Sequence, residues 1–173
     1  MNKTIEEKIL KIKVLAMDVD GVLTDGKIII DGHGKQTKNF DVQDGFGIDF
    51  FQNAGFKTAI ISARSAEAVT ARVKDLKIDK IYQDAYPKAN AYVKLLNDLK
   101  VNEGQVCFIG DDLPDLGVLN RVGFAVAVAN AVEEVKKASD YVTKKSGGNG
   151  AVREVIELIL KTQGKWDGVV TSI

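Results

Sequence analysis

The residues of this chain best suited to chemistry are acidic, and they come at the ends of apolar stretches. Asp18 and Asp20 close "VLAMDVD" with only Val19 between them, and Asp111 and Asp112 close "VCFIGDD". If the first strand runs on through Asp20, alternation returns both carboxylates to one face, where they repel. Such a pair needs a metal ion, a proton or a substrate beside it. Ser62 and Arg64 follow a third apolar stretch, "KTAIIS", and Lys88 comes shortly after a fourth, "KIYQ". Carboxylates from two strands, converging with a serine and a lysine, make an oxygen-rich site suited to Mg²⁺ and phosphate. Phosphoryl transfer asks for these parts: a metal beside the phosphate, donors on its oxygens and an in-line nucleophile. Asp18 is then the candidate nucleophile, through an aspartyl-phosphate. Asp20, one step further out, can protonate a leaving alkoxide and later deprotonate water.

Each residue also has a structural reading. Asp and Gly favour turns, so "DVDG" could simply end a strand. Carboxylates in "GDDLPD" suit a helix start, Ser62 and Ser65 could be caps, with Ser65 the better fit, and Lys88 could be a solvated first-turn lysine. What these readings leave unexplained is the recurrence of chemically matched groups at successive strand ends. In an open α/β sheet that is where ligands bind.

Such strand ends require a sheet whose strands run parallel. Thr4 and Glu7 resemble a capping box opening a short helix, followed by a buried strand from Val14 to Met17 that continues into Asp18. "KIIIDGHGKQTKNFDV" reads as two strands about a turn at Asp31 to Gly34, a projecting hairpin over about residues 27–41. "DGFGIDFFQNAG" has helical spacing and stops at Gly55. Strand "KTAIIS", a helix from Ser65 to about Leu76, strand "IDKIYQ", a helix opening at Pro87, strand "QVCFIG" and helix "LPDLGVLNRV" follow, with "GFAVAVA" and "DYVT" as further short strands. Strands alternating with helices predict parallel pairing and a layered α/β sheet. "KKSGGNGA" reads as a flexible joint before an amphipathic helix, "AVREVIELIL", and residues 162–173 as a mobile tail.

Length and composition narrow the function. The 173 residues fit one domain, and 45% hydrophobic content supplies a core. Lys plus Arg equals Asp plus Glu at 24 each, so net charge gives no reason to expect nucleic acid or anionic membrane as partner. The charged N-terminal stretch is neither signal peptide nor transmembrane span, and the one cysteine, Cys107, reads as a core residue suited to a reducing cytoplasm. His33 lies in the hairpin turn, which removes a serine–histidine triad, and nothing matches a zinc or dinucleotide motif.

"DVDGVLTDG", Ser62, Lys88 and "GDDLPD" resemble the four ordered motifs of the haloacid dehalogenase-like phosphatases. More narrowly, "FDVQDGFGI", "YQ" ahead of Lys88, and "GGNGAVREV" before "QGKWD" resemble the 3-deoxy-D-manno-octulosonate 8-phosphate phosphatase family. The resemblance runs from about Lys13 through nearly the whole chain. It implies a three-layer Rossmann-like parallel sheet with a projecting β-hairpin and no cap domain. It implies Mg²⁺ held by Asp18, the backbone carbonyl of Asp20, and Asp111, with Asp112 and Asp115 behind them. It also implies a homotetramer in which neighbouring subunits cover the site. Asp20, Asp41, Val42, Gln43, Asp44, Gly45, Asp49, Arg64, Arg72 and Lys88 fall at positions that contact the sugar-acid phosphate in that family. Arg64 suits the substrate's carboxylate, which a guanidinium binds in bidentate fashion.

The chain departs from that pattern at Gln43, where relatives often carry arginine, and Asp49, where a basic residue is common. It departs again at Ala63 and Asp84, where glycine is frequent. Fewer cations favour weaker anion binding, so phosphatases for nine-carbon sialic-type acid phosphates stay open as an alternative. Receiver domains of signalling proteins use similar parts but keep their phosphate. In them the acidic pair precedes the phosphorylated aspartate, whereas here D-x-D comes first.

Overall fold

A computed structural model describes residues 3–171. After helix α1 (Lys3–Ile9) the chain enters β1 (Val14–Met17), a run of four side chains buried on both faces, as the centre of a parallel sheet requires. β1 pairs in parallel with β4 (Lys57–Ile61) on one side and with β6 (Val106–Gly110) on the other. β5 (Lys80–Tyr82) extends the sheet beyond β4, while β7 (Phe124–Ala127) and β8 (Tyr141–Val142) extend it beyond β6, giving the order β5-β4-β1-β6-β7-β8. β2 (Ile29–Ile30) and β3 (Gln36–Thr37) form the separate antiparallel hairpin, its turn held by the Asp31 carboxylate, which accepts from the amides of His33 and Lys35.

Helices flank the sheet as packed pairs, giving the three-layer α/β architecture. α2 (Val42–Asn53) lies against α7 (Ala151–Thr162), and α4 (Lys88–Leu99) against the short α5 (Leu116–Leu119). α2 starts where the Asp41 carboxylate accepts from the amides of Gln43 and Asp44, and stops at Gly55, whose φ of +90° suits glycine. α7 buries Val152, Val155, Ile156, Ile159 and Leu160 along one face, each such side chain contributing roughly 1.5–3 kcal/mol. Cys107 is buried in β6, and burial pushes its thiol pKa up.

Several local expectations change. β1 ends at Met17, so Asp18 and Asp20 leave the sheet instead of alternating along it, although the Asp18 amide still bonds to the Ile109 carbonyl. α1 is under way at Lys3, which puts Thr4 in its first turn rather than at its cap. α3 (Glu67–Asp75) has Ala66, not Ser65, at its N-cap, and the Gln83 side chain accepts from the Ala66 amide. α6 (Glu133–Lys137) had no counterpart in the reading of the sequence. The stretch read as a tail carries α8 (Trp166–Val170): the Trp166 ring meets Phe50 edge-on at 6.4 Å, with the Arg153 guanidinium 5.3 Å and the Lys161 ammonium 5.0 Å from its centre. Residues 172 and 173 lie outside the described residues.

The "SGGNG" stretch is packed, not hinged. The Gly148 amide bonds to the Val22 carbonyl at 2.9 Å, and the Gly147 amide to the Asn130 side chain at 2.8 Å.

Candidate active site

The loop after β1 winds around one carbonyl. The amides of Val22, Leu23 and Thr24 all donate to Val19 O, and the buried Thr24 hydroxyl also donates to it while accepting from the amides of Gly21 and Gly26. This explains the threonine and glycines of "DVDGVLTDG": they close a turn that faces both aspartates outward from the sheet. Gly21 has φ of +91°, and a Cβ there would lie 2.0 Å from Asp111 Oδ2. The two acidic strand ends are thus in direct register.

Asp18, Asp20, Ser62, Arg64, Lys88, Asp111, Asp112 and Asp115 line one cavity of about 240 Å³ at the carboxyl ends of β1, β4 and β6. Lys88 is its hub. Its buried ammonium lies 2.7 Å from Asp18 Oδ2 and 2.6 Å from Asp115 Oδ1. Burial alone would depress the Lys88 pKa, but the two carboxylates outweigh it and the net shift is upward. Asp115 turns its other oxygen to the amides of Asp111 and Asp112, and Asp112 caps the turn at Leu113 through that residue's amide. Ser62 Oγ accepts from the Arg64 amide at 3.3 Å, which leaves its own proton to donate into the cavity.

Carboxylate oxygens of Asp18, Asp111 and Asp115 come within 4.8 Å of one another. Asp115 is already committed to Lys88 and the two amides, whereas Asp18 Oδ1 and Asp111 Oδ1 are buried without a hydrogen-bond partner. Burial, and then the neighbouring carboxylates, push Asp111 up to about 8. Burial, opposed by Lys88, pushes Asp18 up to about 6. The cluster is short of positive charge, and its free donors are all carboxylate oxygen. That donor set fits a hard divalent cation such as Mg²⁺.

The remaining predicted contacts are not brought to this cavity by the one chain. Asp41 caps α2. Asp44 is buried and caps α7 from across the helix pair, its Oδ1 accepting from the Arg153 amide at 2.8 Å. Gln43 Oε1 meets Lys145 Nζ at 3.5 Å, and Asp49 accepts from Asn53. Val42, Gly45, Asp49 and Arg72 line a second cavity between α2 and α3. There Arg72 bonds to Asp75 and to the Asp41 carbonyl, and its guanidinium lies so close to Gly45 that a Cβ would come 2.5 Å from Nη2. Asp84, where glycine was expected, has φ of +50°, a conformation aspartate tolerates.

One residue absent from the sequence reading stands at the cavity. Lys38, just beyond β3 of the hairpin, places its ammonium on Asp20 Oδ1, and Arg64 Nε lies 3.9 Å from the other oxygen. No strand-end rule points to a hairpin lysine.

The sheet order and this cluster define a haloacid dehalogenase-like hydrolase, and residues 78–156 match the family of that description. Within that class, the chain belongs to the 3-deoxy-D-manno-octulosonate 8-phosphate phosphatase family. It is 43% identical over 156 residues to the 3-deoxy-D-manno-octulosonate 8-phosphate phosphatase KdsC of Escherichia coli (strain K12), a match covering 90% of this chain and 83% of that protein. The match to the protein of the same description from Yersinia pestis is 41% identical, over 94% of this chain and 87% of that one. A crystal structure of the phosphatase from Moraxella catarrhalis, in complex with a magnesium ion, a phosphate ion and a KDO molecule, superimposes with a TM-score of 0.96 at 44% identity, covering 99% of each chain.

Proposed function

We propose that this protein is a magnesium-dependent phosphatase that hydrolyses 3-deoxy-D-manno-octulosonate 8-phosphate to the free sugar acid and phosphate. The observation that carries the reading is the pairing of two buried, unpartnered carboxylate oxygens, on Asp18 and Asp111, with a serine hydroxyl and a buried lysine around one cavity. The relatives' named activity supplies the substrate.

Asp18 and Asp111, with the backbone carbonyl of Asp20, would hold Mg²⁺, which supplies charge neutralisation that lets a phosphate dianion approach a carboxylate. Asp18 attacks phosphorus as the bond to the sugar oxygen breaks, and Asp20 gives that oxygen its proton. Asp20 then takes a proton from water, whose oxygen attacks the aspartyl-phosphate and releases inorganic phosphate and free Asp18. Ser62 and Lys88 hold the phosphoryl oxygens throughout.

A homotetramer fits the same reading. Ile28, Ile29 and Ile30 on the hairpin, with Val42 and Phe46 on α2, leave apolar surface exposed beside the contacts that lie away from the cavity. A neighbouring subunit seated there would exclude water from the acyl phosphate and add its own side chains to the sugar site.

The test is phosphate release from eight-carbon and nine-carbon sugar-acid phosphates and simple sugar phosphates, with Mg²⁺ and with chelator. Turnover is expected to favour the eight-carbon acid, to need the metal, and to vanish in Asp18→Asn. Equal, poor rates across the panel, or near-parental turnover in a folded Asp18→Asn, would overturn the reading.

A further inference from the structure

Lysines on exposed hairpins normally extend into solvent, because ordering the long side chain costs about 2 kcal/mol of rotamer entropy and its ammonium is strongly hydrated. Lys38 does the opposite. Thr37 and Asn39 on either side of it are exposed, yet the Lys38 side chain retains 4% of its accessible surface and ends on the Asp20 carboxylate. Among the described residues it is the one hydrogen-bond donor to that carboxylate, since Arg64 at 3.9 Å is too far to donate. The rest of the active-site loop is fixed otherwise: Val19 and Thr24 are held by the turn, and Asp18 by Lys88. Asp18 is held from α4, within the main fold, whereas Asp20 takes its side-chain orientation from a hairpin with no strand in the main sheet.

From this geometry we infer that Lys38 is a positioning residue for the reaction: it aims the Asp20 carboxylate into the cavity and thereby ties the hairpin to the acid/base step. This rests on the assignment of Asp20 as the acid/base group. The contact is an ion pair with little solvent to screen it, so its orienting effect is larger than that of a surface pair. Whatever fixes the hairpin, including a second subunit against its exposed isoleucines, then also fixes Asp20.

The test is a double-mutant cycle between Lys38→Met and Asp20→Asn, with Lys38→Arg as a third variant and thermal unfolding recorded for each. Lys38→Met is expected to lower kcat by about 10- to 100-fold, the scale of a misplaced catalytic group, with KM within about threefold of the parent. In the Asp20→Asn background the same change is expected to cost nothing further, because Lys38 acts through Asp20. Lys38→Arg is expected to recover part of the rate. Losses that multiply, or a raised KM with kcat intact, would overturn the inference and place Lys38 directly on the substrate. Asp20→Asn as fast as the parent would instead overturn the acid/base assignment itself.

Discussion

A single methyl group at Gly147 should disable the active site from behind. A Cβ there would lie 1.7 Å from the Gly21 carbonyl oxygen, 2.5 Å from its carbon and 3.0 Å from the Val22 nitrogen. Real Cβ atoms do not approach within 3.0 Å, so the two segments must part by roughly 1.3 Å. Both sides of the contact are backbone, and no rotamer can relieve it. The Gly148 and Gly147 amides, bonded to Val22 and Asn130, hold the segment in place, so the strain passes into the loop carrying Asp18 and Asp20. Overpacking of this kind costs about 1–3 kcal/mol. At about 2–4 °C per kcal/mol for a chain of this size, that is a fall in Tm of roughly 2–12 °C. Displacing Asp18, the proposed nucleophile, by about 1 Å is worth about 100-fold in rate. The assay is phosphate release at saturating substrate beside thermal unfolding of Gly147→Ala, with Gly32→Ala at the hairpin, where a Cβ meets nothing within 4 Å, as the neutral control. If Gly147→Ala keeps turnover within threefold and an unchanged Tm, the glycine segment is a free joint after all and the packing argument is wrong.

Two further outcomes follow from buried charge. Lys88→Met removes the ammonium shared by Asp18 and Asp115, and leaving buried carboxylates unpaired should cost about 3–5 kcal/mol in chelator; Mg²⁺ should restore more stability to the variant than to the parent in thermal unfolding, and equal metal responses would refute this. Asp44 has its pKa pushed up to about 6, first by burial and then by Asp41, against 3.8 in the open chain. The unfolded state therefore loses its proton first as pH rises, so this group's contribution to stability is full below about pH 4 and declines by about 3 kcal/mol by pH 6 or slightly above. Asp44→Asn, which keeps an acceptor for the Arg153 amide, should flatten that decline in denaturant titrations from pH 4 to 7; an unaltered slope would refute it.

The order of strands and helices was legible because parallel strands buried on both faces read as unbroken apolar runs, and β1 and β6 are such runs, with β4 joining them from Ala59 onward. The polar residues closing them were legible for the same reason, since a parallel sheet brings its carboxyl ends to one edge. Contacts between distant elements were not. Asp44 and Arg153 are 109 positions apart, and no local signal marks a carboxylate on one helix as the cap of another. The glycines of "SGGNG" suggest freedom when read locally, whereas in the fold they are what lets two backbones touch. Trp166 falls in a stretch without clear period because α8 is only five residues long, and it is placed by cations from α7.

The spacing of the acidic pair across strands is set by the chain before any ligand arrives. Lys88 fixes Asp18 with one bond and Asp115 with another, and Asp115 in turn holds the amides of Asp111 and Asp112. A lysine from α4 therefore determines how far apart the carboxylates of β1 and β6 stand. It does not balance them: with Asp18, Asp111 and Asp115 all ionised against a single ammonium, the mostly buried cluster would carry two negative charges, and the upward pKa shifts of Asp111 and Asp18 register that cost. One divalent cation makes that balance even, and only then can a phosphate dianion reach Asp18 without crossing a field of its own sign. The same lysine that builds the site thus leaves it dependent on a metal, which is why removing the ion should stop turnover while leaving the architecture around Lys88 standing.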